Sequence, residues 1–330
     1  MTAPSTGFRR LALGTAVAPF LLIVLGGVVR VSDSGLGCGP GGSGFHGWPL
    51  CKGDVVPGFS LHTAVEYAHR TVASTVGVLL LVLAVIAWRR YRAHRRLVKA
   101  ATAAATLVLV EGLLGAATVD KNLDEPLVAI HLGVAMLIFA LVLYVIYVSR
   151  PERIGAPAAD GGPRLRQLAI ASQVLVFCTI VAGGYMAGTQ HYGRADYRLG
   201  DGAHHACGRE FPTCNGDALP FGDSRLVNIH LTHRVFMYLA SIALVALVVV
   251  ALRRRPAEGV VRAARGIAAL LVVQVLVGAL NVWLEEYELL ILAHLTLAAL
   301  LWATVSTLTM QLYPVPAPSE AAVPRRAVPA

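Results

Sequence analysis

Charged residues are scarce in this chain. They make up 14 % of its 330 residues, whereas a soluble domain averages about 25 %. Hydrophobic residues make up 56 %, and the mean hydropathy is +0.65. A chain with so little polar surface cannot cover a water-soluble globule of this size, so the composition excludes a soluble enzyme and predicts a polytopic membrane protein. The net charge of +9 therefore bears on orientation in the bilayer, and we expect no nucleic-acid partner.

Prolines are rare inside the long apolar stretches, where Pro19 is the only interior one. Because proline interrupts helices, these stretches can continue as helices. A run of about 20 apolar residues is long enough to cross a bilayer. The chain contains eight such runs, at 11–31, 63–88, 98–119, 126–148, 166–187, 229–252, 262–283 and 288–312. We therefore predict an all-α membrane protein with eight transmembrane helices.

Positive charge is concentrated on one side of these predicted helices. This side holds 19 of the 28 lysines and arginines, in the segments 89–96, 150–166 and 253–265, at Lys99 and at both ends of the chain. Short loops that are rich in lysine and arginine stay in the cytoplasm. We therefore expect a multi-pass protein of the cell membrane with both termini in the cytoplasm. The two long loops, 32–62 and 188–228, are expected on the outer side.

Cysteine is also scarce, with five residues, which is too few for a disulfide scaffold. Four of them nevertheless form two close pairs in the outward loops, Cys38 with Cys51 and Cys207 with Cys214. Because the outer compartment is oxidising, we expect two disulfide bonds there. A zinc site is the alternative, since histidines occur in both loops, but neither pair has the C-x-x-C spacing typical of such sites.

The chain contains an internal repeat. LVLVEGLLGAATV at 107–119 resembles LLVVQVLVGALNV at 270–282, and IVLGG at 23–27 resembles IVAGG at 180–184. This repeat predicts two pseudo-symmetric four-helix bundles in the same orientation, related by an axis along the membrane normal. We expect an N-terminal half at 1–150, a cytoplasmic linker at 151–165, a C-terminal half at 166–312 and a disordered cytoplasmic tail at 313–330.

Four histidines occupy equivalent positions of the repeat, His69 and His131 in the first half and His233 and His294 in the second. Ionisable side chains inside spans are costly and often mark a cofactor. Two imidazoles that face each other across a four-helix bundle are suitable axial ligands for a haem iron. We therefore expect one haem site in each half. The alternative is that each histidine only hydrogen-bonds a neighbouring helix.

Charged residues accompany these histidines. Arg70 and Arg234 each follow a predicted ligand near the outer interface and are expected to contact haem propionates. Glu66 precedes His69 by one helical turn, whereas the second half has His230 at the matching position. This difference suggests that the first half reacts while the second only holds a haem, with Glu66 as a proton acceptor. The alternative is that Glu66 solvates the start of its helix.

A second acid lies inside a predicted span. Glu111 is near the middle of the third span, and its counterpart in the repeat is Gln274. Acids inside membranes are functional candidates by default. Because an amide occupies the equivalent place, we expect a structural role for Glu111, namely a hydrogen bond between helices.

The motifs in combination resemble the haem A synthase family. The resemblance rests on GGVVRVSDSGLGC, WPLC, EYAHR, EGLLGAATV and AIHLG in the first half, and on HLTHR, QVLVGALNV and AHL in the second. It covers all eight predicted spans, roughly residues 8–312. One departure is the glycine-rich run GPGGSGFHG at 39–47, which makes the interval between the first two cysteines longer than we expect for the family.

The resemblance implies an oxidoreductase that converts haem O to haem A for cytochrome oxidase assembly. The C8 methyl group of haem O would be oxidised to a formyl group through an alcohol. His233 and His294 would then ligate a permanent haem b cofactor. His69 and His131 would flank the substrate haem, with Glu66 as the catalytic carboxylate. The expected partners are the substrate haem O, haem O synthase and other assembly factors, an electron-transfer partner and membrane lipid.

Two other functions fit part of the pattern. A dihaem cytochrome b that passes electrons between quinol and a partner would use the four histidines equally well, but it gives Glu66 and the loop cysteines no task. A haem transporter should show helices interrupted near the bilayer midplane, whereas the histidines lie near one face.

Overall fold

The part of the chain that the structure describes folds into eight long helices. A computed structural model describes residues 3–190, 202–284 and 288–317. The helices are α1 (Thr6–Val31), α2 (Leu61–Arg90), α3 (Arg95–Asp120), α4 (Glu125–Ser149), α5 (Gly162–Gly188), α6 (Arg225–Arg254), α7 (Glu258–Trp283) and α8 (Glu288–Gln311). All eight are long and apolar enough to cross a membrane. The prediction of an eight-span membrane protein is confirmed, and most of the helices extend a few residues beyond the apolar runs into polar sequence.

The two longest helices begin in the same way. Ser60 precedes α2 and its side chain accepts the N–H of Thr63 at 3.3 Å, while Ser224 precedes α6 and accepts the N–H of Val227 at 3.1 Å. A serine at this position satisfies one of the N–H groups that a helix start leaves unpaired. Both helices are 30 residues long and end in two arginines, which complement the negative end of the helix dipole.

Each half closes into a four-helix bundle. In the first half α1 packs against α2 and α4, and α3 packs against α2 and α4; in the second half α5 to α8 repeat this arrangement. The halves meet through α1 with α8, α4 with α5, and α4 with α8. Large apolar side chains cover much of the outward surface of the helices, as expected for contact with lipid.

The interface between the halves is close and partly polar. Helices α4 and α5 approach at Gly184, where an added Cβ would lie 3.3 Å from the Cα of Ala129. Small residues allow this approach between membrane helices. The indole of Trp302 on α8 donates to the carbonyl oxygen of Met136 on α4 at 2.9 Å. The two bundles therefore form one packed unit through α4, α5 and α8.

The two ends of the bundle differ in composition. We call the end with segments 89–96, 150–166 and 253–265 the arginine-rich face, and the end with loops 32–60 and 202–224 the loop face. On the arginine-rich face, Val315 is buried and accepts the N–H of Gly155 at 2.9 Å, and Pro314 accepts from Arg96 at 2.6 Å. Residues 314 and 315 therefore contact the arginine-rich face, and the disorder of the tail stays a prediction. Residues 318–330 lie outside the described residues.

Candidate functional site

The four histidines of the repeat line one cavity near the loop face. His69 and His233 are each the ninth residue of their helices, and His131 and His294 are each the seventh. All four border a cavity of about 1170 Å³ that both halves line. Pockets for drug-sized ligands occupy about 300–1000 Å³. The cavity is therefore large enough for a bulky ligand, and it connects the two histidine pairs.

A glycine on the neighbouring helix faces each histidine. The distances from an added Cβ to the nearest ring atom are 3.4 Å for Gly26 and His69, 3.3 Å for Gly115 and His131, 3.1 Å for Gly183 and His233, and 2.9 Å for Gly278 and His294. Contacts under 3.4 Å are tighter than nine in ten real Cβ contacts. The imidazoles therefore pack on bare backbone, at positions where a side chain would displace them from the cavity wall.

Three of the imidazoles also have a polar neighbour, and that of His294 is the amide of Gln274, at 3.3 Å. His233 Nδ1 lies 3.0 Å from the carbonyl oxygen of Thr179, which leaves Nε2 for the cavity. His131 Nδ1 lies 3.1 Å from a carboxylate oxygen of Glu111. A hydrogen bond at one ring nitrogen selects the tautomer and orients the other nitrogen toward a metal. His233 therefore has the arrangement that a histidine ligand of a metal requires, whereas the contact at Nδ1 of His131 is close without being a strict hydrogen bond.

Glu66 is buried beneath the loop at 32–60. One carboxylate oxygen accepts the backbone N–H of Cys38 at 2.7 Å, and the other accepts from Arg70 at 2.5 Å. Arg70 also donates to the carbonyl oxygens of Gly47 at 2.6 Å and Leu50 at 3.0 Å. Glu66 borders the cavity and is only 3 % exposed. The pair therefore joins helix α2 to the loop above it while keeping a carboxylate at the cavity wall.

The second half repeats this anchor with different chemistry. His230 takes the position of Glu66, and its Nδ1 lies 2.7 Å from the carbonyl oxygen of Ala203. Arg234 donates to the carbonyl oxygens of Thr213 and Glu210, both at 2.7 Å. In each half the arginine holds the loop of its own half, but only in the first half does the residue four positions before the arginine bring a carboxylate to the cavity. This is the asymmetry that the sequence predicted between Glu66 and His230.

The two arginines expected to contact propionates border the cavity but also hold the loops. In each half the guanidinium bonds the carbonyl of the residue just before the second loop cysteine, Leu50 or Thr213. A guanidinium has five N–H donors, so these bonds leave further donors available. Contact of Arg70 and Arg234 with propionates stays a prediction.

Both cysteine pairs are disulfide-bonded, Cys38 with Cys51 and Cys207 with Cys214. Sulfurs in a disulfide do not ligate zinc, so the expected disulfides are confirmed over the zinc alternative. The second cysteine of each pair forms the same small turn, with Cys51 bonded to Asp54 and Cys214 to Asp217 through the backbone. The signal for this turn is WPLCKGD at 48–54 and FPTCNGD at 211–217, a repeat that the sequence analysis missed.

Two polar residues at the loop face were also missed as cavity residues. His204 lies in a short 3-10 turn and borders the cavity, and burial, with the charges of His230, His233 and Arg30, lowers its pKa well below the ordinary value. Burial likewise raises the pKa of Asp33, and the positive charge of Arg30 partly opposes this. The cavity rim in the second half is therefore lined by a buried imidazole whose protonated form is disfavoured.

Known proteins resemble the chain over nearly its whole length. The model of the COX15-CtaA family, described as a cytochrome oxidase assembly protein, matches residues 9–306. The chain belongs to this family. A heme A synthase of Alkalihalophilus pseudofirmus is 29 % identical over 304 residues, covering 90 % of this chain and 94 % of that protein. A heme A synthase of Symbiobacterium thermophilum is 30 % identical over 285 residues, covering 82 % and 84 %.

Family membership confirms the resemblance drawn from the sequence motifs, and with it the expectation of an oxidoreductase in haem A biosynthesis. The cavity fits haem in its donor set as well as its size. His131 and His294 each keep a buried Nδ1 without a strict hydrogen bond among the described residues, and each ring packs on a glycine. Imidazole pairs in an apolar bundle are typical axial ligands of haem.

Proposed function

We propose that this member of the family is a haem A synthase that oxidises the C8 methyl group of haem O to a formyl group through an alcohol. One observation carries the proposal. Each half has two histidines whose rings pack on a glycine of the neighbouring helix, and all four histidines border one cavity. A single permanent site would explain only one such pair. Two matched pairs, with a carboxylate beside one of them, support one substrate site and one cofactor site.

The second half is proposed to hold a resident haem b through His233 and His294. Its anchor residue at the cavity is His230, a neutral hydrogen-bonding group rather than an acid. The bound haem would supply a one-electron redox centre. The surrounding residues hold its ligands: Thr179 orients His233, and Gly183 and Gly278 set the depth at which both rings lie.

The first half is proposed to bind the substrate haem between His69 and His131. The step from the alcohol to the formyl group would release two electrons, which pass to the proposed electron-transfer partner, and two protons, so a group that takes up protons is needed at the cavity wall. Glu66 is the proposed acceptor, because it is the carboxylate that borders the cavity one helical turn from His69. Arg70 and the N–H of Cys38 hold its two oxygens in place, so its position depends on the disulfide loop.

The orientation is proposed from charge. The arginine-rich face is assigned to the cytoplasm and the loop face to the outer side, by the excess of basic residues in the short loops. The disulfides on the loop face support this assignment because they persist in an oxidising compartment. Haem O synthase, assembly factors and an electron-transfer partner are proposed as partners in the membrane.

The test is to express the chain in cells that supply haem O and to identify the extracted haems by mass. A synthase yields haem A, the alcohol intermediate or unreacted haem O in addition to haem b. A dihaem electron carrier, the alternative that family membership does not favour, would yield haem b alone. That outcome, with the protein folded and haem O present in the membrane, would refute the proposed function.

A further inference from the structure

The neighbour of the second histidine differs between the halves. In the first half, His131 Nδ1 lies 3.1 Å from Glu111 Oε1 across the α3–α4 contact. In the second half, Gln274 takes the place of Glu111, and its amide nitrogen lies 3.3 Å from His294 Nε2. The two histidines share a depth and a facing glycine, but their polar neighbours differ in kind and in position: a carboxylate lies at Nδ1 of His131, and an amide lies at Nε2 of His294.

Glu111 has no other described task. Its side chain is 12 % exposed and borders the cavity, and among the described residues its Oε2 makes no hydrogen bond. The Nδ1 of His131 likewise has no closer partner, although its contact with Glu111 is oblique rather than linear. A purely structural link between helices would use both oxygens or a backbone group. The geometry instead directs one oxygen at one ring nitrogen.

We infer that Glu111 is a positioning residue for His131, a conclusion that rests on the proposed haem sites. A carboxylate that accepts the Nδ1 hydrogen selects the tautomer in which Nε2 faces the iron, and it makes the imidazole a stronger electron donor. The amide of Gln274 contacts Nε2 of His294 instead, and the Nδ1 of His294 has no carboxylate behind it among the described residues. The substrate iron in the first half is therefore held more strongly in the ferric state than the resident haem iron in the second half.

Exchange of the two residues tests this without measuring activity. Gln274→Glu is expected to lower the midpoint potential of the haem b bound by the purified protein. Changes in groups behind a metal ligand typically alter metal binding or activity by about 10- to 100-fold. We take the lower figure, tenfold, as the change in the ratio of ferric to ferrous haem at a fixed solution potential. For a one-electron couple this corresponds to a shift of the midpoint potential by about 59 mV. Glu111→Gln should raise the potential of haem O, loaded anaerobically into the first half, by a similar amount.

Two control variants separate the effect of a carboxylate beside the imidazole from the general effect of adding or removing a negative charge. Asn281→Asp adds a carboxylate to the wall of the same cavity, seven residues after Gln274 on α7. It therefore reports the effect of a negative charge that is not placed at the residue in contact with His294. Glu258→Gln removes an exposed carboxylate on the same helix and should leave the potential unchanged. The electron paramagnetic resonance spectrum of the ferric haem should change in Gln274→Glu and not in either control.

The outcomes are distinct. Unchanged potentials in both exchanges, with haem bound, would overturn the inference and leave the proposed function intact. A shift in Asn281→Asp as large as that in Gln274→Glu would also overturn it, because charge alone would then suffice. If Gln274→Glu does not retain haem, Glu111→Gln decides alone, since it conserves size. If the wild-type first half takes up no haem O, the proposed function fails and the inference with it.

Discussion

The close contacts between glycines and histidines predict that a methyl group added at one of these glycines will weaken the binding of haem. In Gly278→Ala the new Cβ would lie 2.9 Å from Cε1 of His294, whereas ordinary contacts begin at 3.4 Å. The ring must therefore move away by about 0.5 Å. A functional group must be held within about 0.5 Å of its productive position, so this shift is as large as the displacement that a site tolerates. Overpacking of this kind costs about 1–3 kcal/mol. If that cost falls on the haem-bound state, the dissociation constant rises about 5- to 150-fold.

The matched control is Gly14→Ala, because no atom lies within 4 Å of a Cβ added there. Alanine is favoured over glycine in a helix by about 0.8–1.0 kcal/mol, so this control should be neutral or slightly stabilising. Gly183→Ala, with a contact at 3.1 Å, should lose less haem than Gly278→Ala. The assay is the haem absorbance per protein after dilution into haem-free detergent. Equal retention in Gly278→Ala and Gly14→Ala would refute the steric argument.

Four further results are expected. Replacing His233 or His294 by alanine should remove the low-spin b-type absorbance of protein purified without substrate; survival of that absorbance in both variants would refute the haem b assignment. Glu66→Gln should leave haem b content unchanged but lower haem A formation by at least about 100-fold, the lower limit for acid–base assistance, and an ordinary rate would reduce Glu66 to a loop anchor. Peptide mapping without reductant should find both loop disulfides, and free thiols would contradict the topology. Trp302→Phe should lower the thermal midpoint of the purified protein, because the hydrogen bond to Met136 contributes about 0.5–1.5 kcal/mol; an unchanged midpoint would show that the bond adds nothing.

The helices were predictable from the sequence because membrane burial leaves a strong signal. A span needs an unbroken apolar run, and the backbone must satisfy its own hydrogen bonds as a helix. The predicted run at 63–88 became helix Leu61–Arg90, and its flanking residues added only a capped first turn and two arginines. The repeat likewise predicts His69 and His233 at the same depth, and each is the ninth residue of its helix.

The details of the site were not predictable in the same way. The bonds from Glu66 to Cys38 and from Arg70 to Leu50 depend on the path of a long loop with several positive-φ glycines, which no periodicity describes. The role of Gly278 was hidden for a different reason. A glycine in a helix signals close approach only when the neighbouring helix is known, and its partner His294 lies on the next helix.

The contacts between glycines and histidines also bear on how the protein is made. Each contact joins two consecutive helices, so that Gly26 on α1 meets His69 on α2, and Gly278 on α7 meets His294 on α8. A helical hairpin that has just entered the membrane therefore already contains one complete contact between a glycine and an imidazole. Two successive hairpins then complete a ligand pair. The first half is able to assemble its histidine pair during synthesis, before the ribosome has translated the second half.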